Sequence, residues 1–215
     1  MTSQTDVKIT VRDVVVEGSL TMPPGAKGIV LFAHGSGSSR FSTRNQYVAK
    51  VFNKEKIGTL LFDLLTRREE EEDIVTAEYR FNIGLLAERL VGTTEWLKND
   101  PQTRHYSFGY FGASTGAAAA LISAAKLPND IAAVVSRGGR PDLATDYLPQ
   151  VVAPTLLLVG SLDTVVIDLN EKAMNQMTNL KKLIIIPGAT HLFEEPGKLE
   201  VVAKLSTDWF LRYLT

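Results

Sequence analysis

The sequence contains no cysteine. That removes disulfides, zinc–thiolate sites and a cysteine nucleophile together. It says little about compartment. Charge of one sign is also missing: 23 Lys and Arg stand against 24 Asp and Glu, a formal net charge of -1. Such a balance gives no electrostatic case for nucleic acid or for an anionic membrane. The most apolar runs, at 117–125 and 151–159, fall well short of the ~20 residues that span a bilayer. The first residues, MTSQTDVKIT, lack the apolar stretch of a secretory signal. A soluble cytoplasmic protein is the resulting expectation.

What the chain does have is material for a core. Hydrophobic residues make up 45% of its 215 residues and charged residues 22%, which suits a single packed domain over 1–215. Residues 7–11 and 14–20 alternate in polarity and suit an antiparallel opening pair. Six further short runs are β-rich and mostly apolar on both faces: 28–33, 58–63, 107–112, 132–136, 155–160 and 182–186. Strands of that kind belong to a parallel sheet covered by helices on both sides. Helical patterns fit between them at 41–55, 76–98, 115–126, 168–177 and 197–213. The expected class is α/β: a doubly wound, mostly parallel sheet. The dense charge run at 67–73, RREEEED, reads as a solvated loop before the 76–98 helix.

In such sheets, sites form at the carboxyl ends of the strands. After the 107–112 run comes Gly112-Ala-Ser114-Thr-Gly116, followed by four alanines. Gly-x-Ser-x-Gly between a strand and a helix is a nucleophile elbow. The turn is tight and strains the serine backbone, so its neighbours must be small. The bland alternative is Ser114 or Thr115 as an ordinary helix cap. A serine nucleophile needs a base, and the chain has three histidines. His105 precedes its strand and so lies at the wrong edge. His34 is followed by glycine and reads as a loop-shaping residue. His191 follows the last strand and is the only histidine after Ser114, as the chain order Ser–acid–His requires.

Asp163 directly follows the 155–160 run and is the favoured acid. Asp168 is its rival, but reads as a helix cap. Asp142 and Asp146 are weaker choices. An oxyanion hole needs two backbone N–H donors. Thr115, after the nucleophile, supplies one. The loop after the 28–33 strand, His34-Gly-Ser-Gly-Ser-Ser39, supplies the other, with Ser36 the expected residue. Arg137 and Arg140 sit at another strand end. Each could bind a substrate carboxylate or pair with a local acid such as Asp142 or Asp146. A dinucleotide fingerprint at Gly35-x-Gly37 is a poor match. Arg40 occupies the third glycine position, and Asp63 lies later than the usual spacing.

Five stretches together resemble the α/β-hydrolase superfamily, and within it the dienelactone-hydrolase-like proteins. They are HGSGSS (34–39), FDLLT (62–66), GYFGASTG (109–116), SRGGRPD (136–142) and PGATHLFE (187–194). The resemblance covers essentially the whole chain. The five stretches look like the hydrolase domain that some bacterial proteins fuse to a phosphoribosyltransferase, and here that domain is expected to stand alone. The resemblance implies an eight-stranded sheet and a triad of Ser114, Asp163 and His191. One departure stands out. Dienelactone hydrolases proper use a cysteine nucleophile, and this chain has none.

The expected activity is a serine hydrolase acting on small soluble carboxylic esters, with no metal and no cofactor. Only 137–153 separate two strands where a lid is often inserted, too little for a lid domain. Thioester or lactone hydrolysis would use the same residues. A hydrolase-fold binding protein without catalysis, or a nicotinamide-dependent oxidoreductase, are the readings from other classes.

Overall fold

The computed structural model describes residues 3–214. Its eight strands are β1 (Ser3–Val11), β2 (Val14–Met22), β3 (Ile29–Ala33), β4 (Gly58–Phe62), β5 (Phe108–Ala113), β6 (Ile131–Arg137), β7 (Thr155–Gly160) and β8 (Lys181–Ile186). Six helices connect or follow them: α1 (Thr43–Lys54), α2 (Arg67–Thr76), α3 (Ile83–Asn99), α4 (Thr115–Lys126), α5 (Thr164–Gln176) and α6 (Lys198–Tyr213). A 3-10 helix over Pro141–Gln150 joins β6 to β7. The strands form one sheet in the order β1-β2-β4-β3-β5-β6-β7-β8. The β1–β2 and β2–β4 pairs are antiparallel, and the other pairs are parallel. This is the α/β-hydrolase fold, and among the described residues no lid is evident.

The apolar strands are buried on both faces because each face has its own core. On one face, Leu31, Leu60 and Tyr110 pack with Leu86 and Leu90 of α3 and the alanines of α4. On the other, Phe32, Phe111 and Val135 pack with Phe52 of α1 and Phe210 of α6. Phe32, Phe52 and Phe111 form an aromatic cluster with ring centroids 4.9 to 5.9 Å apart. Ala117, Ala118, Ala119 and Ala120 are fully buried, so the alanine run brings α4 close against the sheet.

Two expectations need correction. The 67–73 run is not a loop but most of α2. Thr66 and Glu69 form a reciprocal capping box at its start, and Glu69 and Glu70 place negative charge in its first turn. Those interactions make a helix of a segment that has almost no apolar face. The following helix therefore starts at Ile83 rather than 76. Likewise α5 starts at Thr164 rather than 168, so Asp168 lies within the helix and caps nothing. Among the described residues no helix is long and apolar enough to cross a membrane.

Candidate active site

Ser114 sits between β5 and α4 with φ 50° and ψ -121°. A positive φ is costly for a residue with a side chain, and it persists only where the surroundings impose it. Here they do. The Ser114 N–H donates to the Arg137 carbonyl at 3.2 Å, and its carbonyl accepts from Ala117 and Arg140 N–H groups at 3.1 Å. Gly116 explains itself the same way. A methyl group there would run into the carbonyl oxygens of Ala33 and His34. Ser114 holds the N-cap position of α4, but its side chain makes no capping bond. Its hydroxyl forms no hydrogen bond among the described residues.

Neighbouring strand ends bring the other two residues in. Parallel pairing of β7 and β8 puts the loops that follow them side by side. His191 Nδ1 lies 2.6 Å from Asp163 Oδ2. The His191 ring rests beside Gly138, where an added Cβ would come within 3.5 Å of its Cε1. Gly138 adjoins Arg137, which holds the Ser114 backbone. Ser114 and His191 therefore share the end of β6 as a common support. Asp163 is only 16% exposed at its side chain, against 38% for His191.

The loop after β3 is tied down on both sides. His34 is buried; its Nδ1 donates to the Gly35 carbonyl at 3.0 Å, and its Nε2 accepts from the Leu64 N–H at 3.0 Å. Burial lowers its pKa, against the opposing effects of the Gly35 carbonyl and the Asp63 charge. Loop-shaping, as the sequence suggested, is its role. Asp63 accepts from the Arg40 N–H at 2.8 Å and pairs with the Arg40 side chain. The aspartate that mimicked a dinucleotide motif thus clamps this loop. Ser36 sits beside Thr115, and its N–H is engaged: it donates to Thr115 Oγ1 at 3.0 Å. The two hydroxyls lie 2.9 Å apart, and Ser36 Oγ donates to the Arg80 carbonyl. The Thr115 N–H opens α4, where the first turn has no acceptor within the helix.

The two arginines part ways. Arg140 closes its fork on Asp142 at 2.7 and 2.8 Å, so its local pairing is the one observed. Arg137 meets no acid. It is 7% exposed, its Nη2 lies 3.5 Å from Asn45 Oδ1, and its Nε and Nη1 are buried without acceptors. Burial, and then the nearby Arg44 charge, push its pKa down to about 10. Among the described residues no cluster of His, Asp or Glu is arranged to hold a metal ion. Missed from sequence were Asp73 and Arg80, which lock the α2–α3 connection against the Ser36 loop. The spacing Thr66-x-x-Glu69 was the available signal that a helix begins there.

Residues 18–213 match the model of the dienelactone hydrolase family. The chain belongs to that family. A dienelactone hydrolase from Anabaena variabilis has 56% identity, with 100% of this chain and 99% of that one covered and a TM-score of 0.98. A Mycobacterium tuberculosis protein named, provisionally, as a phosphoribosyl transferase is 54% identical over 209 residues. The match takes in 97% of this chain and 46% of that protein, so the chain spans about half the length of the curated relatives it matches. Est1E from Butyrivibrio proteoclasticus shares the fold at 15% identity, with coverage of 96% and 98% and a TM-score of 0.80. The chain is thus a member of the dienelactone hydrolase family with the α/β-hydrolase fold.

Proposed function

We propose that this hydrolase cleaves small carboxylic esters, with Ser114 as nucleophile, His191 as base and Asp163 as its orienting acid. One observation carries the reading: Ser114 is held on a strained turn with its hydroxyl unengaged, its backbone bonded to Arg137, and the next residue, Gly138, lies against the ring of a histidine already bonded to a carboxylate. Ser114 Oγ attacks the ester carbonyl carbon as its proton passes to His191 Nε2. Asp163 holds the proton on Nδ1 and stabilises the imidazolium. The tetrahedral intermediate places its oxyanion on the Thr115 N–H and the Ser36 N–H. In this mechanism the oxyanion replaces the Thr115 hydroxyl as the acceptor for Ser36. Collapse expels the alcohol, which takes the proton from His191. Water, activated by the same histidine, then releases the acid and restores Ser114.

A lactone is an ester closed on itself and suits the same residues. The name of the Anabaena protein favours including lactones, and thioesters share the chemistry. The test is covalent labelling of Ser114 by a fluorophosphonate, with turnover of a panel of esters, thioesters and lactones. Labelling and turnover that both vanish in Ser114→Ala are expected. Esterase turnover unchanged in that variant would sink the assignment. Cofactor retained through purification would point to the oxidoreductase reading instead.

A further inference from the structure

The charge run that became α2 has a role the catalytic reading leaves unused. Beside the 34–38 loop lies a cleft of about 210 Å³. That is below the ~300 Å³ at which pockets for drug-sized ligands begin. Gly35, Ser36, Gly37 and Ser38 line part of it. Its apolar lining is Leu64 and Leu65 after β4, Leu86 of α3 and Ile74 of α2. Ser114 itself does not line the cleft, but two residues that do lie against its turn. A Cβ on Gly35 would sit 3.1 Å from the Ser114 Cβ, and Ser36 touches Thr115.

Ser36 belongs both to the proposed oxyanion site and to the lining of the cleft, so an ester held on the Thr115 and Ser36 amides would have this cleft next to it. We propose that the cleft is the acyl subsite of the reaction assigned to Ser114, and that Ile74 sets the length of the acyl chain it takes. This rests on the serine hydrolase reading above. The subsite is built for a short, neutral, apolar chain. Its charged groups are Asp73, Arg80 and Glu70. Asp73 accepts from the Tyr79 and Arg80 N–H groups at 2.8 and 2.9 Å and from Arg80 Nε at 2.6 Å, so these two charges cancel within the wall. Glu70 remains, and it disfavours an acyl chain ending in a carboxylate.

The wall is also fixed in place. Glu69 binds the buried Arg89 at 2.6 Å, and Ser36 Oγ donates to the Arg80 carbonyl at 3.1 Å. These bonds fix α2 relative to the loop that carries the proposed oxyanion donor. Ile74 is 73% exposed, so its replacement changes the cleft without opening the core. Val75, 85% exposed on the same helix, does not line the cleft and serves as the control.

The experiment fixes the alcohol as p-nitrophenol and varies the acyl group through acetyl, butanoyl, hexanoyl and succinyl. A second series fixes acetyl and varies the alcohol. Ile74→Trp is expected to lower the hexanoyl-to-acetyl ratio of kcat/KM by about tenfold, and Ile74→Ala to raise it by about threefold. Val75→Trp leaves the ratio as in the wild type. Unchanged ratios in both Ile74 variants, with Ser114 still labelled by a fluorophosphonate, overturn the subsite. Succinyl preferred over butanoyl overturns its neutral character, and a change confined to the alcohol series overturns the acyl assignment. A wild type that neither labels nor turns over any ester removes the catalytic reading itself, and this proposal with it.

Discussion

His191 Nδ1 and Asp163 Oδ2 meet at 2.6 Å although the residues are 28 apart in the chain. Parallel pairing of β7 with β8 produces the encounter, because both residues follow the carboxyl ends of those strands. A carboxylate there favours the proton on Nδ1, which leaves Nε2 for the base role proposed above.

Asp163→Asn tests that arrangement. Asparagine keeps the shape but can present a donor to Nδ1, which favours the wrong tautomer. A fall in kcat of about 10³ to 10⁴ with little change in KM is expected, by analogy with other serine triads. Steady-state kinetics on a short-chain ester reads it. A kcat within a few-fold of wild type would remove Asp163 from the mechanism.

His34 makes a pH-dependent contribution to stability. Its two bonds, to Gly35 and Leu64, need one nitrogen as donor and the other as acceptor, so only the neutral ring satisfies both. Burial keeps its folded pKa below the unfolded value of 6.5. Below that unfolded value, the unfolded chain binds a proton that the folded chain resists. Stability is therefore fully present above the unfolded pKa and is lost as pH falls through the folded pKa. The thermal midpoint is expected to drop between about pH 7.5 and about pH 5.5, and His34→Gln to flatten that dependence. Equal slopes in the two proteins would refute it.

Arg137 is a buried charge without a counter-charge. Exchanging buried ionic groups for apolar ones of similar size is often neutral or stabilising. Arg137→Met is expected to stabilise the fold by ~1 kcal/mol, raising the melting temperature by about 2–4 °C. Calorimetry measures it. The same variant decides whether Arg137 binds a substrate carboxylate. If it does, the succinyl-to-butanoyl turnover ratio falls in the variant; if Arg137 is a core residue, the ratio stays put.

Much of this was legible in the chain because its signals are local. The strands at 155–160 and 28–33 announce themselves by apolar residues on both faces. The two glycines around Ser114 mark a turn that only small neighbours permit, and the order of Ser114, Asp163 and His191 is readable in one dimension. Charge misled at α2. Seven consecutive charged residues hid a helix whose capping box the letters did contain.

Tertiary structure decided what depends on distant partners. Arg137 and Arg140 stand three apart and read alike. Arg140 takes the acid two residues away, Asp142, whereas only the fold buries Arg137 beside Asn45, 92 residues distant. Ser36 was placed next to Thr115 by its loop, but its N–H bond to the Thr115 hydroxyl joins residues 79 apart. Asp63 likewise became a clamp through Arg40 across 23 residues. Periodicity and glycine spacing fix the backbone path over a few residues at a time. Which polar groups then find one another is set by strand order and helix packing.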